Sequence, residues 1–215
     1  MFCNLRTLRT ECAALACALV ALTALPTASA QASEANLYTP VKGSAPVPAG
    51  WTQFCTTYAK VCDTQPSRPR DVVLDAKAWN DLARVNKLVN QTIKPMTDPE
   101  HYGMIQWWRY PDDGAGACHS YALLKRKLLM QAGWPREALL MTIVHEDFGR
   151  GEGHAVLTVK TDHGDYILDN LTGEIRLWSN TSYGFYKRQS QSDPNAWVWL
   201  SDPRVASATG TMLAR

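Results

Sequence analysis

Residues 114–170 carry the pattern that most restricts the fold. A glycine-rich turn, GAGA, precedes a helical run that begins near Tyr121 and meets stop signals at Gly133 and Pro135. Three β-like runs follow, at residues 138–145, 154–161 and 165–170. The Gly-rich loop EDFGRGEG joins the first two runs and the tight turn TDHGD joins the last two, so we expect an antiparallel meander. With an earlier helix, this pattern predicts an α+β domain in which helices pack on an antiparallel sheet.

The earlier helix is predicted within residues 71–93. Its apolar residues recur at intervals of three and four, and Pro95 ends the pattern; they are Trp79, Leu82, Val85, Val89 and Ile93. In the second helix the apolar stripe consists of Tyr121, Leu124, Leu128 and Ala132, with the basic residues 125–127 between them. We expect PMTDPEHYG to be a loop, and WVWL near residue 197 to add a late strand.

Both ends of the chain are expected to lie outside the folded domain. Residues 1–30 are typical of a cleaved signal peptide, with arginines before the apolar run CAALACALVALTAL and an Ala-Ser-Ala site at its end. A lipoprotein signal at Cys17 is less favoured, because the apolar run continues past it. Residues 31–50 are predicted to form an extended N-terminal arm, 51–200 one domain, and 201–215 a flexible tail.

Export would place the mature protein in the periplasm, or outside the cell, of a Gram-negative bacterium, where disulfides persist. Lys and Arg total 22 and Asp and Glu total 20, so the charge gives no indication of a nucleic-acid partner or an anionic membrane. After the signal there is no second hydrophobic segment long enough to span a membrane.

Three cysteines remain after the signal peptide. Cys55 and Cys62 lie seven residues apart in FCTTYAKVC, and a disulfide between them would close a small surface loop. Cys118 is left unpaired at the predicted start of the second helix. It is either a small, buried, inert residue or a nucleophile, because a helix N-terminus lowers a thiol pKa and supplies backbone donors for an oxyanion.

A base and its orienting carboxylate can be found in the strands. His154 begins the second β-like run and Asp169 ends the third. If Thr161 pairs with Gly164 around a two-residue loop, Val156 lies opposite Asp169 and His154 is its diagonal neighbour on the same face. A slip of one residue would put Asp169 on the other face.

The remaining polar residues give weaker signals. His101, His119, His145 and His163 are interpreted as surface or turn histidines, and Asp162 and Asp165 as turn residues. A zinc site is disfavoured, because Cys118 and His154 have no second Cys or His at ligand spacing. Trp108, just before the glycine turn, is a candidate wall of a cleft or simply a core residue.

The chain resembles the bacterial transglutaminase-like cysteine proteinases, a family that includes the LapG-type periplasmic proteases. The similarity runs from GWTQFCTTYAKVC through GAGACHSY, GHAVL and LDN to YGFYKRQSQSDPNAWV. It implies a papain-like or transglutaminase-like fold and places the family's nucleophile, base and aspartate at Cys118, His154 and Asp169. It also implies cleavage of a large cell-surface adhesin, release of biofilm, calcium dependence and an inner-membrane cyclic di-GMP receptor as regulatory partner.

The sequence departs from the family beside the nucleophile. The family's acidic calcium ligands are replaced here by Ala117, His119 and Ser120, so we expect no cofactor and no calcium at this position. The sequence therefore predicts a cysteine endopeptidase that forms a thioester. The alternatives are a transglutaminase or amidase with the same triad, and a non-catalytic binding protein with a degenerate site.

Overall fold

The computed structural model describes residues 37–205 of the chain. The predicted signal peptide, residues 1–30, lies outside the described residues, as do residues 31–36 of the predicted arm and 206–215 of the predicted tail. Between residues 37 and 205, no helix has both the length and the apolar character needed to cross a bilayer.

The strands of the described region form one large antiparallel sheet and one short parallel pair. Their bounds are β1 Val41–Ala45, β2 Lys94–Pro95, β3 Ala115–Gly116, β4 Leu139–His145, β5 Gly153–Thr161, β6 Gly164–Leu168, β7 Arg176–Leu177, β8 Gly184–Gln189 and β9 Trp197–Leu200. The large sheet has the order β1-β9-β8-β4-β5-β6-β7, and β2 pairs with β3. The predicted meander is confirmed as β4, β5 and β6, and the late strand as β9. The sequence pattern did not indicate β1 or β8, because neither shows a clean alternation of apolar and polar residues.

The helices complete the predicted α+β arrangement. Their bounds are α1 Ala49–Thr57, α2 Ala59–Cys62, α3 Ala76–Thr92, α4 Asp98–Tyr102, α5 Cys118–Gln131 and α6 Glu146–Gly149. α6 is a distorted turn, since φ is positive at Asp147 and Phe148. α5 is central, because it contacts α3 as well as β4 and β5. The prediction of helices packed on an antiparallel sheet is confirmed.

Apolar side chains pack on both faces of the sheet. Along β5, Leu157 and Val159 belong to the larger cluster, which includes residues of α1, α3 and α5. Val156 belongs to a second cluster with Trp178 and Phe185. Because neighbouring residues of a strand point to opposite faces, the two clusters lie on opposite sides of the sheet.

Two details of the first helical region differ from the prediction. Trp79 is 39% exposed and packs edge-to-face on Tyr166 instead of entering the core. The segment expected to be a loop contains α4, whose N-terminus is a capping box formed by Thr97 and Glu100. The T-x-x-E spacing is a sequence signal for such a helix start.

The predicted apolar stripe of α5 holds except at its C-terminal end, since Leu124 and Leu128 pack against the core. Lys125 and Arg126 are fully buried, whereas Ala132 is exposed. The reason is that α5 is enclosed by α3 and the sheet, so more than one of its faces is covered. Arg126 is accommodated because its Nε donates to the Leu139 carbonyl oxygen at 3.0 Å.

Asp165 is a buried ion-pair partner and not a turn residue. It accepts hydrogen bonds from Arg188 Nη1 at 2.9 Å and from the Thr39 backbone N–H at 2.9 Å, and it pairs with Lys160. These contacts attach the chain before β1 to the β5–β6 hairpin. At the other end, the guanidinium of Arg204 donates to Asp202 and to the carbonyl oxygen of Tyr183.

The predicted disulfide between Cys55 and Cys62 is present. It links α1 to the end of α2, and the Asn195 side chain donates to the Cys62 carbonyl oxygen at 2.8 Å. The bridge therefore ties the two short helices together next to a contact with the segment before β9.

Replacing both Cys55 and Cys62 with serine is expected to lower the free energy of unfolding by about 2–3 kcal/mol. The reason is that the bridge closes a loop of about eight residues in the unfolded chain. Denaturant unfolding of the double variant and the parent checks this value. Adding reductant should destabilise the parent to the same extent and leave the variant unchanged; equal stability of the oxidised parent and the variant would contradict the prediction.

Candidate active site

Cys118 is the first residue of α5, and the β2–β3 pair fixes the chain that leads to it. The Met96 N–H donates to the Gly116 carbonyl oxygen at 3.1 Å. Position 116 requires glycine, because a Cβ there would lie 2.6 Å from Cβ of Ser120. The N-cap residue, Ala117, provides no side-chain cap, so the N–H groups that begin the helix, at Cys118 and His119, are available for an anion. Cys118 is the free cysteine of the described region.

His154 and Asp169 are brought together by the β5–β6 hairpin. The predicted pairing of Thr161 with Gly164 is confirmed, and the ladder continues to Leu157 opposite Leu168. One residue further along this register, Asp169 comes within reach of the imidazole: Nε2 of His154 and Oδ1 of Asp169 are 2.8 Å apart. Both side chains are buried. This contact occupies Nε2 and leaves the other ring nitrogen of His154 for Cys118.

Asp169 is held by three further groups. The Tyr183 hydroxyl donates to Oδ2 of Asp169, and the Leu171 N–H donates to Oδ1 at 3.1 Å. The Asn90 side chain donates to the Asp169 carbonyl oxygen at 2.8 Å. Sequence reasoning missed Tyr183 and Asn90, because they come from distant segments and belong to no local motif.

His119 is also part of the site, so its interpretation as a surface or turn histidine is wrong. It is 4% exposed, and its Nε2 lies 3.3 Å from Oδ1 of Asp98. Its ring stacks on Trp108, with centroids 5.4 Å apart and planes 6° apart. The available sequence signal was a histidine directly after the candidate nucleophile, but nothing in the sequence indicated its partner Asp98.

The surrounding imidazoles make Cys118 a strong candidate for a thiolate. Burial opposes the charged form, but the effect of the neighbouring His119 and His154 imidazoles prevails and lowers the pKa of the Cys118 thiol to about 6. Burial also opposes the imidazolium of His154, yet the hydrogen bonds to Asp169 and Cys118 raise its pKa to about 9. Between these pKa values, thiolate and imidazolium coexist.

A cleft of about 260 Å³ opens beside these residues. Its lining includes Cys118, His154, Trp108 and Gln106. Trp108 is 5% exposed, so it is a core residue that also forms part of the cleft wall, and both interpretations of it apply. It fits because position 50 is glycine: a Cβ on Gly50 would lie 2.3 Å from the indole ring.

Comparison with known proteins identifies the family. The sequence model described as "Bacterial transglutaminase-like cysteine proteinase BTLCP" matches residues 41–205. No protein with a curated description matches the chain at a significant level.

The solved structures that resemble the chain include LapG of Legionella pneumophila. The calcium-bound form is 20% identical, with a TM-score of 0.48, over 78% of this chain and 93% of that one. The EGTA-treated form is 22% identical, with a TM-score of 0.47, over 73% of this chain and 80% of that one. Since the family match spans most of the chain, this protein belongs to the bacterial transglutaminase-like cysteine proteinases and is a cysteine peptidase.

Proposed function

We propose that Cys118, His154 and Asp169 form the catalytic triad of an endopeptidase that works through a thioester. The Cys118 thiolate attacks the carbonyl carbon of a peptide bond, and the carbon–nitrogen bond then breaks. The His154 imidazolium gives its proton to the leaving amine. Water, deprotonated by the now neutral His154, hydrolyses the thioester and regenerates the thiolate. Asp169 keeps the imidazole in one orientation and stabilises its positive charge.

The N-terminus of α5 is the proposed oxyanion site. The Cys118 N–H belongs to the first turn of a helix whose N-cap, Ala117, has no capping side chain. Backbone donors placed in this way stabilise the negative oxygen of a tetrahedral intermediate. The observation that carries the whole proposal is the 2.8 Å contact between His154 and Asp169 at the cleft that contains Cys118.

We further propose that the reaction does not use calcium beside the nucleophile. Ala117 offers no side-chain oxygen, and the Ser120 side chain is buried against Gly116. His119 is a nitrogen base, and its partner Asp98 is the single carboxylate among these groups. Calcium prefers six to eight oxygen ligands with several carboxylates, so these residues do not fit the ion.

The substrate class is proposed from the family. A periplasmic peptidase of this kind would cleave a large surface adhesin and so release biofilm, and an inner-membrane cyclic di-GMP receptor would restrain it. Family membership and the cleft that contains Cys118 support a protein substrate.

Purified protein that starts at residue 31 is expected to cut candidate surface adhesins from the same bacterium equally well with and without a calcium chelator. Mass spectrometry of the products should show new backbone termini and, after rapid quenching, protein carrying the acyl fragment on Cys118. Iodoacetamide-treated protein is the control and should be inactive.

The products separate the alternatives. A crosslink or an exchanged amine in place of new termini would identify a transglutaminase or amidase and contradict the peptidase assignment. Loss of cleavage in chelator, restored by calcium alone, would contradict the proposal of a calcium-independent site.

A further inference from the structure

Cys118 shares its cleft with members of two histidine–carboxylate pairs. The first is His154 with Asp169, joined at 2.8 Å. The second is His119 with Asp98, whose Nε2 and Oδ1 atoms are 3.3 Å apart, and both members are at least 90% buried. Both imidazoles line the cleft that contains Cys118, and both lower the pKa of its thiol. The triad described above uses only the first pair, so the second requires its own explanation.

Contacts with neighbouring segments fix the position of the second pair. Oδ2 of Asp98 accepts a hydrogen bond from the Trp107 N–H at 2.8 Å, which orients the carboxylate towards the site. The Trp108 indole lies parallel to the His119 ring and covers one of its faces. His119 itself is fixed in the first turn of α5. Three separate segments therefore hold this imidazole in the cleft of Cys118 before any substrate binds.

The charges of the site alternate in sign. The groups facing His119 are Asp98 from α4 and the Cys118 sulfur from its own helix. On the sulfur, His154 from β5 is the other positive neighbour, and Asp169 follows behind it. The order is carboxylate, imidazolium, thiolate, imidazolium, carboxylate. Opposite charges are therefore neighbours, which favours the thiolate and the two imidazolium ions despite burial.

We propose that His119 is a second catalytic histidine, whose positive charge is fixed by Asp98 and keeps Cys118 a thiolate, while His154 carries out the proton transfers. The inference rests on the proposed function, because it divides the work of that site between two imidazoles. It also gives a role to one of the residues that replace the family's acidic side chains. A side-chain cation is present at all times, so the thiolate is maintained without a metal ion.

The pKa of His119 agrees with this division of roles between the two histidines. Burial opposes the imidazolium of His119, but its contacts with Asp98 and Cys118 raise its pKa to about 9. His119 therefore stays protonated across neutral pH. Of the groups that lower the pKa of the Cys118 thiol, His119 has the largest effect.

The inference is tested by the pH profile of iodoacetamide alkylation at Cys118, which needs no substrate. The parent profile should rise near pH 6. In His119→Gln the midpoint should move up by about 1–2 pH units, so that alkylation at pH 6 falls roughly tenfold and the rates converge above about pH 9. Asp98→Asn should shift the profile in the same direction, and its amide oxygen can still accept from the Trp107 N–H.

The control variant is His101→Gln. His101 Nε2 pairs with Asp113 Oδ2 at 2.7 Å, so this change removes another histidine–carboxylate pair that includes a residue of α4, away from the sulfur. Its alkylation profile should match that of the parent. Circular dichroism establishes that each variant is folded, and Asp98→Asn serves as the test if His119→Gln is not.

The outcomes separate the inference from the proposed function. His154→Ala should keep rapid alkylation at pH 7, within about tenfold of the parent, while losing peptide cleavage. A parent-like profile in both His119→Gln and Asp98→Asn, or alkylation lost in His154→Ala alone, would overturn the role of His119 and leave the triad intact. Full cleavage by His154→Ala would instead refute the triad and leave the alkylation result of His119→Gln to be judged separately.

Discussion

Cys118→Ala is expected to abolish peptide cleavage, with kcat/KM falling by about 10⁴-fold or more. The variant has no atom that can form the thioester, and the backbone N–H groups at the start of α5 cannot replace a nucleophile. Alanine favours helix and fills less space at a partly buried position, so the fold should be retained. Initial rates on an adhesin fragment, with a thermal unfolding curve of the same sample, measure both effects.

Cys118→Ser is the graded companion of this variant. A serine hydroxyl is far less acidic than a thiol, and neither imidazole is a strong enough base to ionise it, so activity close to that of the alanine variant is expected. Cleavage by Cys118→Ala above about 1% of the parent rate would contradict the assignment of the nucleophile. Substrate binding without a nucleophile cannot support cleavage at such a rate.

His154→Ala is expected to lower kcat by about 10³- to 10⁴-fold with a much smaller change in KM. The reason is that general acid and general base steps both pass through this imidazole, whereas substrate binding depends mainly on the cleft walls. The pH dependence of the parent should be bell-shaped, rising near the thiol pKa of about 6 and falling near the imidazole pKa of about 9. Steady-state kinetics across that range give all of these quantities.

A matched control for His154→Ala lies on the same hairpin. His163 is in the turn between β5 and β6, where its side chain is 63% exposed and pairs with Asp162. His163→Ala removes an equal number of atoms from the same element without touching Cys118, so its activity should stay close to that of the parent. Similar losses in the two variants would mean that damage to the hairpin, and not loss of the base, explains the effect.

The hairpin shows what local sequence can predict. The turn TDHGD fixed the pairing of Thr161 with Gly164, and that register determined that His154 and Asp169 would meet. These two residues are only fifteen positions apart. Over so short a distance, the two-residue period of strands and the length of the turn leave few alternatives.

The second histidine–carboxylate pair shows where such prediction ends. His119 follows Cys118 in sequence, yet its burial depends on Asp98 from α4 and on the Trp108 ring, which reach it only in the folded chain. Tyr183 and Asn90 reach Asp169 in the same way. None of these contacts follows from a spacing rule, because each joins elements whose relative placement is set by packing.

The sequence by itself determined the α+β class, the disulfide, the meander and the position of Cys118 at a helix start, since each depends on neighbours along the chain. Tertiary structure alone decided that GAGACHSY presents two ionisable side chains to the cleft, those of Cys118 and His119. It also decided that α5 is covered on several faces, with Lys125 and Arg126 inside. The physical reason is that burial and ion pairing depend on which elements surround a side chain, and a periodic pattern does not specify those neighbours.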